Sequence, residues 1–223
     1  MKKLHLLALL GLVLAFSSCS TARFYSGFSA DTASQGMILL GPSALHFYLD
    51  EKNQASLNDS LTFETQELLA SLVSSKSLPV TRRVQLDSAQ HVEAAAFMDY
   101  LKGQTKMRQK NSPIPTALDE LLEAEGERYG LLLFAEGMSR DRKGYKKAVT
   151  KGALLGLATA ILTLGAATSY SVPVKTYSGI YAAVLDAETN QIVFYNFNEA
   201  ERSPLDPGSV SEQLERMLAK LRE

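Results

Sequence analysis

Alternating apolar and polar residues mark strands along this chain, and longer runs with helical spacing mark helices. The run from residue 37 to residue 50 is apolar but is broken by Gly41 and Pro42, so it predicts a strand, a turn and a second strand. Leucines at helical spacing in residues 60–75 predict a helix that ends before Pro79. The first part of the chain therefore combines β-structure with one helix.

A second strand and helix follow directly. The alternating stretch "LPVTRRVQLD" predicts a strand, and Asp87 and Ser88 are residue types that cap the start of a helix, here one that runs to Leu101. Residues 102–115 are polar and hold two prolines, which predicts a loop.

The next elements are a helix, a buried strand and a hairpin. Thr116 and Asp119 have the spacing of a capping box at the start of a helix. The continuous apolar run in "YGLLLFAEGMS" is typical of a strand buried on both faces. Residues 180–185 and 192–197 alternate on either side of the turn-forming sequence "DAETNQ", which predicts a β-hairpin.

An amphipathic helix closes the chain. Ser209 and Ser211 are candidate caps for it, and its apolar residues share one face: Val210, Leu214, Met217, Leu218 and Leu221. The order of elements predicts a single α/β or α+β domain from residue 37 to residue 223, with a mixed β-sheet, flanking helices, and a C-terminal hairpin followed by a helix.

The N-terminus has the layout of an export signal. Residues 1–18 contain two lysines, an apolar run and small residues, and this apolar run is short for a membrane span. The sequence "AFSSC" resembles a bacterial lipobox of the looser kind found in Bacteroidetes lipoproteins, in which the cysteine is acylated and becomes the N-terminus. That resemblance implies lipidation of Cys19, with palmitate among the acyl chains. The alternative is ordinary secretory cleavage beside an incidental cysteine.

An acylated Cys19 would hold the protein on a lipid bilayer without any membrane-spanning helix. The resemblance to lipoproteins further implies an outer-membrane anchor with the body in the periplasm, because Ser20 replaces a retention aspartate and no acidic export cluster follows. Residues 19–36 are rich in serine, alanine and glycine and predict a flexible tether between the lipid and the domain.

An apolar glycine- and alanine-rich insert at about residues 144–172 interrupts the domain. Its stretch from residue 152 to residue 168 has no charged residue and is at the lower length limit of about 17 residues for a membrane span. Gly152 and Gly156 are spaced so that two helices can approach closely. A single crossing would separate the hairpin from its sheet, so the insert is expected either in the domain core or against a membrane or partner.

A basic segment precedes the insert. It is formed by Arg140, Arg142, Lys143, Lys146, Lys147 and Lys151, with Asp141 as the only acid among them. Either water solvates these cations, or they contact lipid phosphates or an acidic partner surface. They and the two glycines are the candidate contact residues. A nucleic-acid partner is not expected in the periplasm.

No residue pattern predicts a metal site, a cofactor or a catalytic group. His46 is expected to be partly exposed on a strand face opposite Phe47, and His91 and Glu93 are too close in sequence to share a metal on one helix face. Five carboxylates are typical of a solvated helix face: Asp119, Glu120, Glu123, Glu125 and Glu127.

At fold level the chain resembles the periplasmic domains of outer-membrane lipoproteins of the curli-secretion and peptidoglycan-synthase-activator type. The motifs "MILLGP", "PVTRRVQLD", "ERYGLLLFAEG" and "VLDAETNQIVFYNF" occur in that family's order, and the insert is not part of its pattern. The expected function is a non-enzymatic binding or assembly role in the cell envelope, with an envelope protein or a second copy as partner. The alternative is a periplasmic enzyme acting on cell wall or glycan through the carboxylates at 119–127 or Asp186 and Glu188.

Overall fold

The computed structural model describes residues 22–25, 27–76, 78–104, 106–150 and 173–222. The strands are β1 (Arg23–Phe24), β2 (Met37–Leu49), β3 (Ala55–Leu57), β4 (Val80–Val84), β5 (Tyr129–Arg140), β6 (Thr176–Asp186) and β7 (Gln191–Ala200). The helices are α1 (Ala30–Ser34), α2 (Asp59–Ser74), α3 (Ser88–Lys102), α4 (Lys106–Lys110), α5 (Thr116–Ala124) and α6 (Pro207–Leu218), followed by a 3-10 helix at Ala219–Leu221. Residues 142–150 are also helical.

All seven strands belong to one mixed sheet, in the order β1-β7-β6-β5-β2-β3 with β4 also paired to β2. Strand β2 runs parallel to β4 and β5, and the remaining pairs are antiparallel. Strands β6 and β7 form the predicted hairpin, and α6 follows it. The structure confirms the predicted single α/β or α+β domain.

Each face of the sheet carries its own apolar core. Helices α2 and α6 cover one face with side chains such as Leu69 and Leu214. Helices α3 and α5 cover the other with side chains such as Met98 and Leu118. Within the described part of the chain, none of the helices combines the length and hydropathy that a membrane crossing requires.

Side-chain caps explain where two of the helices begin. Asn58 precedes α2 and accepts a hydrogen bond from the N–H of Leu61 at 3.0 Å. Asp87 precedes α3 and forms a full capping box with Gln90, as its position in the sequence predicted.

The predicted start of the last helix was wrong. Asp206 caps α6 by accepting from the N–H of Ser209 at 2.8 Å, and Pro207 occupies the first helical position. Proline suits that position because its fixed φ is already helical and its missing N–H would lack a partner there. Ser209 and Ser211 therefore lie inside the helix.

The predicted capping box of α5 and the predicted loop before it also need correction. No side chain caps α5, and Pro115 stands at its N-cap position in front of Thr116. The predicted loop at 102–115 contains helix α4.

Strand β2 is continuous, whereas the sequence predicted a turn at Gly41 and Pro42. The pairing of β2 with β5 shifts register between Leu40 and Ser43, which places an extra residue in β2 as a bulge. Proline is tolerated there because strand β4 pairs with β2 only as far as Leu40, so no partner needs an N–H from Pro42.

The predicted tether is shorter than residues 19–36. Arg23 and Phe24 pair with β7, and helix α1 packs the buried Phe28 and Ala33 into the core. Residues 22–36 therefore belong to the folded domain as far as the structure describes them.

Candidate membrane-facing site

The insert leaves and re-enters the sheet at a single end. Ser139 near the end of β5 pairs with Thr176 at the start of β6, and the antiparallel pairing continues to Tyr129 and Asp186. A single membrane crossing between these two residues would move β6 to the other side of the bilayer from its own partner strand. The pairing of β5 with β6 thus holds the two described ends of the insert at the same end of the sheet.

Asp141 fixes the start of the helical segment 142–150. Its Oδ1 accepts from the N–H groups of Lys143 at 2.7 Å and Gly144 at 3.0 Å, and its own N–H donates to the carbonyl of Leu49 at 2.8 Å. The hydrogen bond from Gly144 is the main cause that lowers the pKa of Asp141. The lone acid of the basic segment therefore serves as an ionised helix cap.

Two further contacts hold the first turn of this segment against the loop after β2. A side chain on Gly144 would place its Cβ 2.8 Å from the main-chain oxygen of Asp50, so only glycine allows the observed approach. Lys143 forms an ion pair with Glu51 at 3.0 Å, and hydrogen bonding to Glu51 raises the pKa of Lys143.

Three cations of the segment remain exposed without a carboxylate. Arg142, Lys146 and Lys147 take part in no ion pair with any described residue. Arg142 and Lys146 are four residues apart, as are Lys143 and Lys147, and like charges at this spacing destabilise a helix by about 0.2–0.5 kcal/mol per pair. An anionic surface would relieve this repulsion.

Of the remaining predicted contact residues, the structure describes Arg140 alone. Arg140 is half-buried, and its Nε has no hydrogen-bond partner among the described residues. Lys151, Gly152 and Gly156 lie outside the described residues, as does the predicted lipidation site Cys19.

Strand β1 begins on the side of its pairing that faces the same end of the sheet as the basic segment. Arg23 pairs with Tyr195, and β1 runs antiparallel to β7, so the N-terminal end of β1 is directed toward the C-terminal end of β7. At that end Ala200 pairs with Ser178, close to the start of β6. Cys19 lies four positions before Arg23, and four residue steps span at most about 14 Å.

No protein-family model matches the chain, and no curated protein sequence matches it significantly. Among solved structures, the chain is similar to two structures of the PelC dodecamer from Paraburkholderia phytofirmans. One of the two is the structure of a point variant. Both have a TM-score of 0.41 and 11% identity; the matches cover 91% of this chain and 98% or 97% of the PelC chain. A likeness this distant carries no information on function.

His46 is fully buried, whereas the sequence predicted partial exposure. Helix α2 covers it: Thr65 lies 3.3 Å from its Nδ1, and Thr62 accepts from its main-chain N–H at 3.0 Å. On the other side its Nε2 lies 3.0 Å from the hydroxyl of Ser139. Burial lowers the pKa of His46, so the ring is neutral near pH 7.

The sequence did not point to a polar pair on the other face of β2. The hydroxyl of Ser43 lies 2.8 Å from Nδ1 of His91 beside a cavity of about 300 Å³. Asp87, whose charge acts on His91, serves as the cap of α3. Ser43 and His91 are 48 positions apart, which hides this contact from sequence patterns.

Four of the candidate catalytic carboxylates are engaged with arginines. Arg82 forms ion pairs with Glu125 and Glu127, and Arg128 holds both Asp186 and Glu188. Of the predicted helix-face carboxylates, Glu120 and Glu123 are exposed, while Asp119, Glu125 and Glu127 are half-buried.

Proposed function

We propose that this protein is a non-enzymatic lipoprotein of the bacterial cell envelope, anchored in the outer membrane through acylated Cys19 with its domain in the periplasm. Its role would be to bind or assemble with another envelope component, either an envelope protein or a second copy of itself. The observation that carries the proposal is the exposed, unpaired positive charge of Arg142, Lys146 and Lys147 on a helix start that is firmly attached to the sheet.

The placement of this charge suits contact with an anionic bilayer. The N-terminal end of β1 and the basic segment are both directed toward the end of the sheet where Ser139 pairs with Thr176. A lipid on Cys19 and phosphates at the segment would therefore engage one membrane surface from one side of the domain. Each basic residue near such a surface contributes about 1 kcal/mol, so the three unpaired cations together contribute about 3 kcal/mol.

Vesicle binding tests the membrane contact separately from the lipid anchor. A chain that begins at Ser20 lacks Cys19 but retains every described residue. We expect it to sediment with vesicles that contain phosphatidylglycerol and to remain in solution with neutral phosphatidylcholine vesicles. Replacing Arg142, Lys146 and Lys147 by glutamine should weaken this binding about a hundredfold, because about 1.4 kcal/mol corresponds to a factor of ten.

A matched variant controls for the loss of net charge. Replacing Arg108, Lys110 and Lys220 by glutamine removes the same number of positive charges at other positions of the domain. It should retain the binding of the parent chain. Equal weakening by both variants, or a parent chain that is monomeric and ignores anionic vesicles at low salt, would contradict the proposed contact.

Lipidation needs its own test in cells. The full chain should incorporate a clickable palmitate analogue and fractionate with the outer membrane, and Cys19→Ala should do neither. A Cys19→Ala chain that still incorporates the analogue would contradict acylation at this position.

The four carboxylates paired with arginines support a binding role over the alternative of a wall- or glycan-acting enzyme. A cavity of about 90 Å³ contains both Glu199 and Glu212, which is small for a sugar substrate. Tyr181 donates to Glu199 at 2.6 Å, and Arg202 binds Glu212. Neither carboxylate is available as a free acid or base of the kind that glycoside hydrolysis requires.

A further inference from the structure

Strand β2 has a short open stretch on the edge that faces β3 and β4. Strand β4 pairs with β2 only through Leu40, and β3 joins it only from Phe47 onward. Between these two strands, β2 has no strand partner on this edge among the described residues. Helices α2 and α3 lie on opposite faces of the sheet, so the open stretch forms a notch between them.

Ala44 is buried, and its main chain faces into this notch. The carbonyl of Leu49 faces β5, because it accepts from the N–H of Asp141. His46 faces the opposite way, since its N–H donates to Thr62 and its carbonyl accepts from Asn58. In a strand of a parallel pair, every second residue directs both its N–H and its C=O to the same side. Ala44 lies two residues before His46, so it presents a donor and an acceptor to the notch.

The notch opens into the cavity of about 300 Å³ next to Ser43. Leu45, Val92 and Ala95 give it an apolar lining, and Val92 at its rim is 70% exposed. This volume is at the lower end of the range for ligand pockets, about 300–1,000 Å³, so it suits a single amino-acid side chain.

The polar groups of the cavity are neutral hydrogen-bonding groups. Ser43 and His91 form one pair, and burial lowers the pKa of His91, which keeps its ring uncharged near pH 7. Gln66 adds an amide from helix α2. Among the described residues, nothing hydrogen-bonds to the Gln66 amide or to the second ring nitrogen of His91. Neutral donors and acceptors around an apolar cavity match a peptide unit with an apolar side chain.

We propose that this notch binds an extended peptide segment of a partner protein, which places one apolar side chain in the cavity and pairs its main-chain amide with Ala44. The main-chain pairing would extend the sheet locally, and the cavity would select the side chain. This site is distinct from the basic segment and does not depend on membrane contact.

A titration of the full chain in detergent micelles tests the proposal. The probe is an acetylated and amidated alanine pentapeptide with leucine at its centre, and the readouts are the NMR signals of the His91 ring and the Ala44 amide. Both signals should shift as the peptide is added, and the two shifts should saturate at the same peptide concentration. A second pentapeptide, with the central leucine N-methylated, lacks the main-chain donor and should bind at least tenfold more weakly.

Two substitutions on α3 provide a matched pair. Ala95→Phe fills the cavity and should weaken peptide binding at least tenfold, whereas Ala96→Phe adds the same side chain at an exposed position next to it and should leave binding unchanged. The proposal is overturned if the parent chain shows no saturable shift. It is also overturned if N-methylation has no effect, or if the two alanine variants bind alike.

Discussion

Gly144 offers a direct test of how the basic segment is attached to the domain. A Cβ at this position would lie 2.8 Å from the main-chain oxygen of Asp50 and 3.1 Å from Cα of Glu51. Both are backbone atoms, so no side-chain rotation relieves the contact. Overpacking of this kind costs about 1–3 kcal/mol, whereas alanine gains up to about 1 kcal/mol over glycine in a helix. Gly144→Ala should therefore weaken the attachment by about 1–2 kcal/mol.

Amide hydrogen exchange measures this loss where it occurs. A change of about 1–2 kcal/mol corresponds to exchange that is about 5- to 30-fold faster in residues 142–150, with little change in the central strands. Gly103→Ala is the control, because its Cβ would lie 3.7 Å from the nearest atom and its φ of −81° suits alanine. It should leave exchange unchanged or slow it. Unchanged or slower exchange in Gly144→Ala would refute the close approach to Asp50.

Two further predictions concern stability. Asp186 is buried and receives two hydrogen bonds of 3.0 Å from Arg128, so Arg128→Ala should lower the free energy of unfolding in urea by about 2 kcal/mol. Arg202→Ala removes an exposed ion pair and should leave the free energy of unfolding nearly unchanged. An equal loss of this free energy in both variants would contradict the role of burial. Burial lowers the pKa of His46 below 6.5, so the unfolded chain takes up a proton that the folded chain does not. The free energy of unfolding should therefore fall as the pH drops below about 6.5, and less steeply in His46→Gln, where His91 is the one described histidine that retains this behaviour; an equal slope would count against the assignment.

Sequence patterns predicted most elements of the fold, because these depend on neighbouring residues. The capped helix after Asp87 and the β6–β7 hairpin are examples, and both have their signals within a few residues. The wrong prediction in β2 has a long-range cause. The bulge at Gly41 and Pro42 has the composition of a turn, and only the long pairing with β5 keeps β2 continuous there.

The candidate site was predicted in part. The basic segment was visible as a run of cations, but its attachment through Asp141 and Gly144 requires the loop after β2, which lies about ninety residues earlier in the chain. The burial of His46 depends in the same way on helix α2 and on Ser139.

The sequence by itself determined most element types, the single mixed domain, the lipobox-like cysteine and the run of positive charge. Only the tertiary structure decided that both ends of the insert lie at the same end of the sheet, that β1 begins toward that end as well, and that the main chain of Ala44 faces an edge without a strand partner. The physical reason is the range of the interactions. Periodicity and capping act over one or two turns, whereas strand register joins residues far apart in the chain and sets which groups remain unpaired.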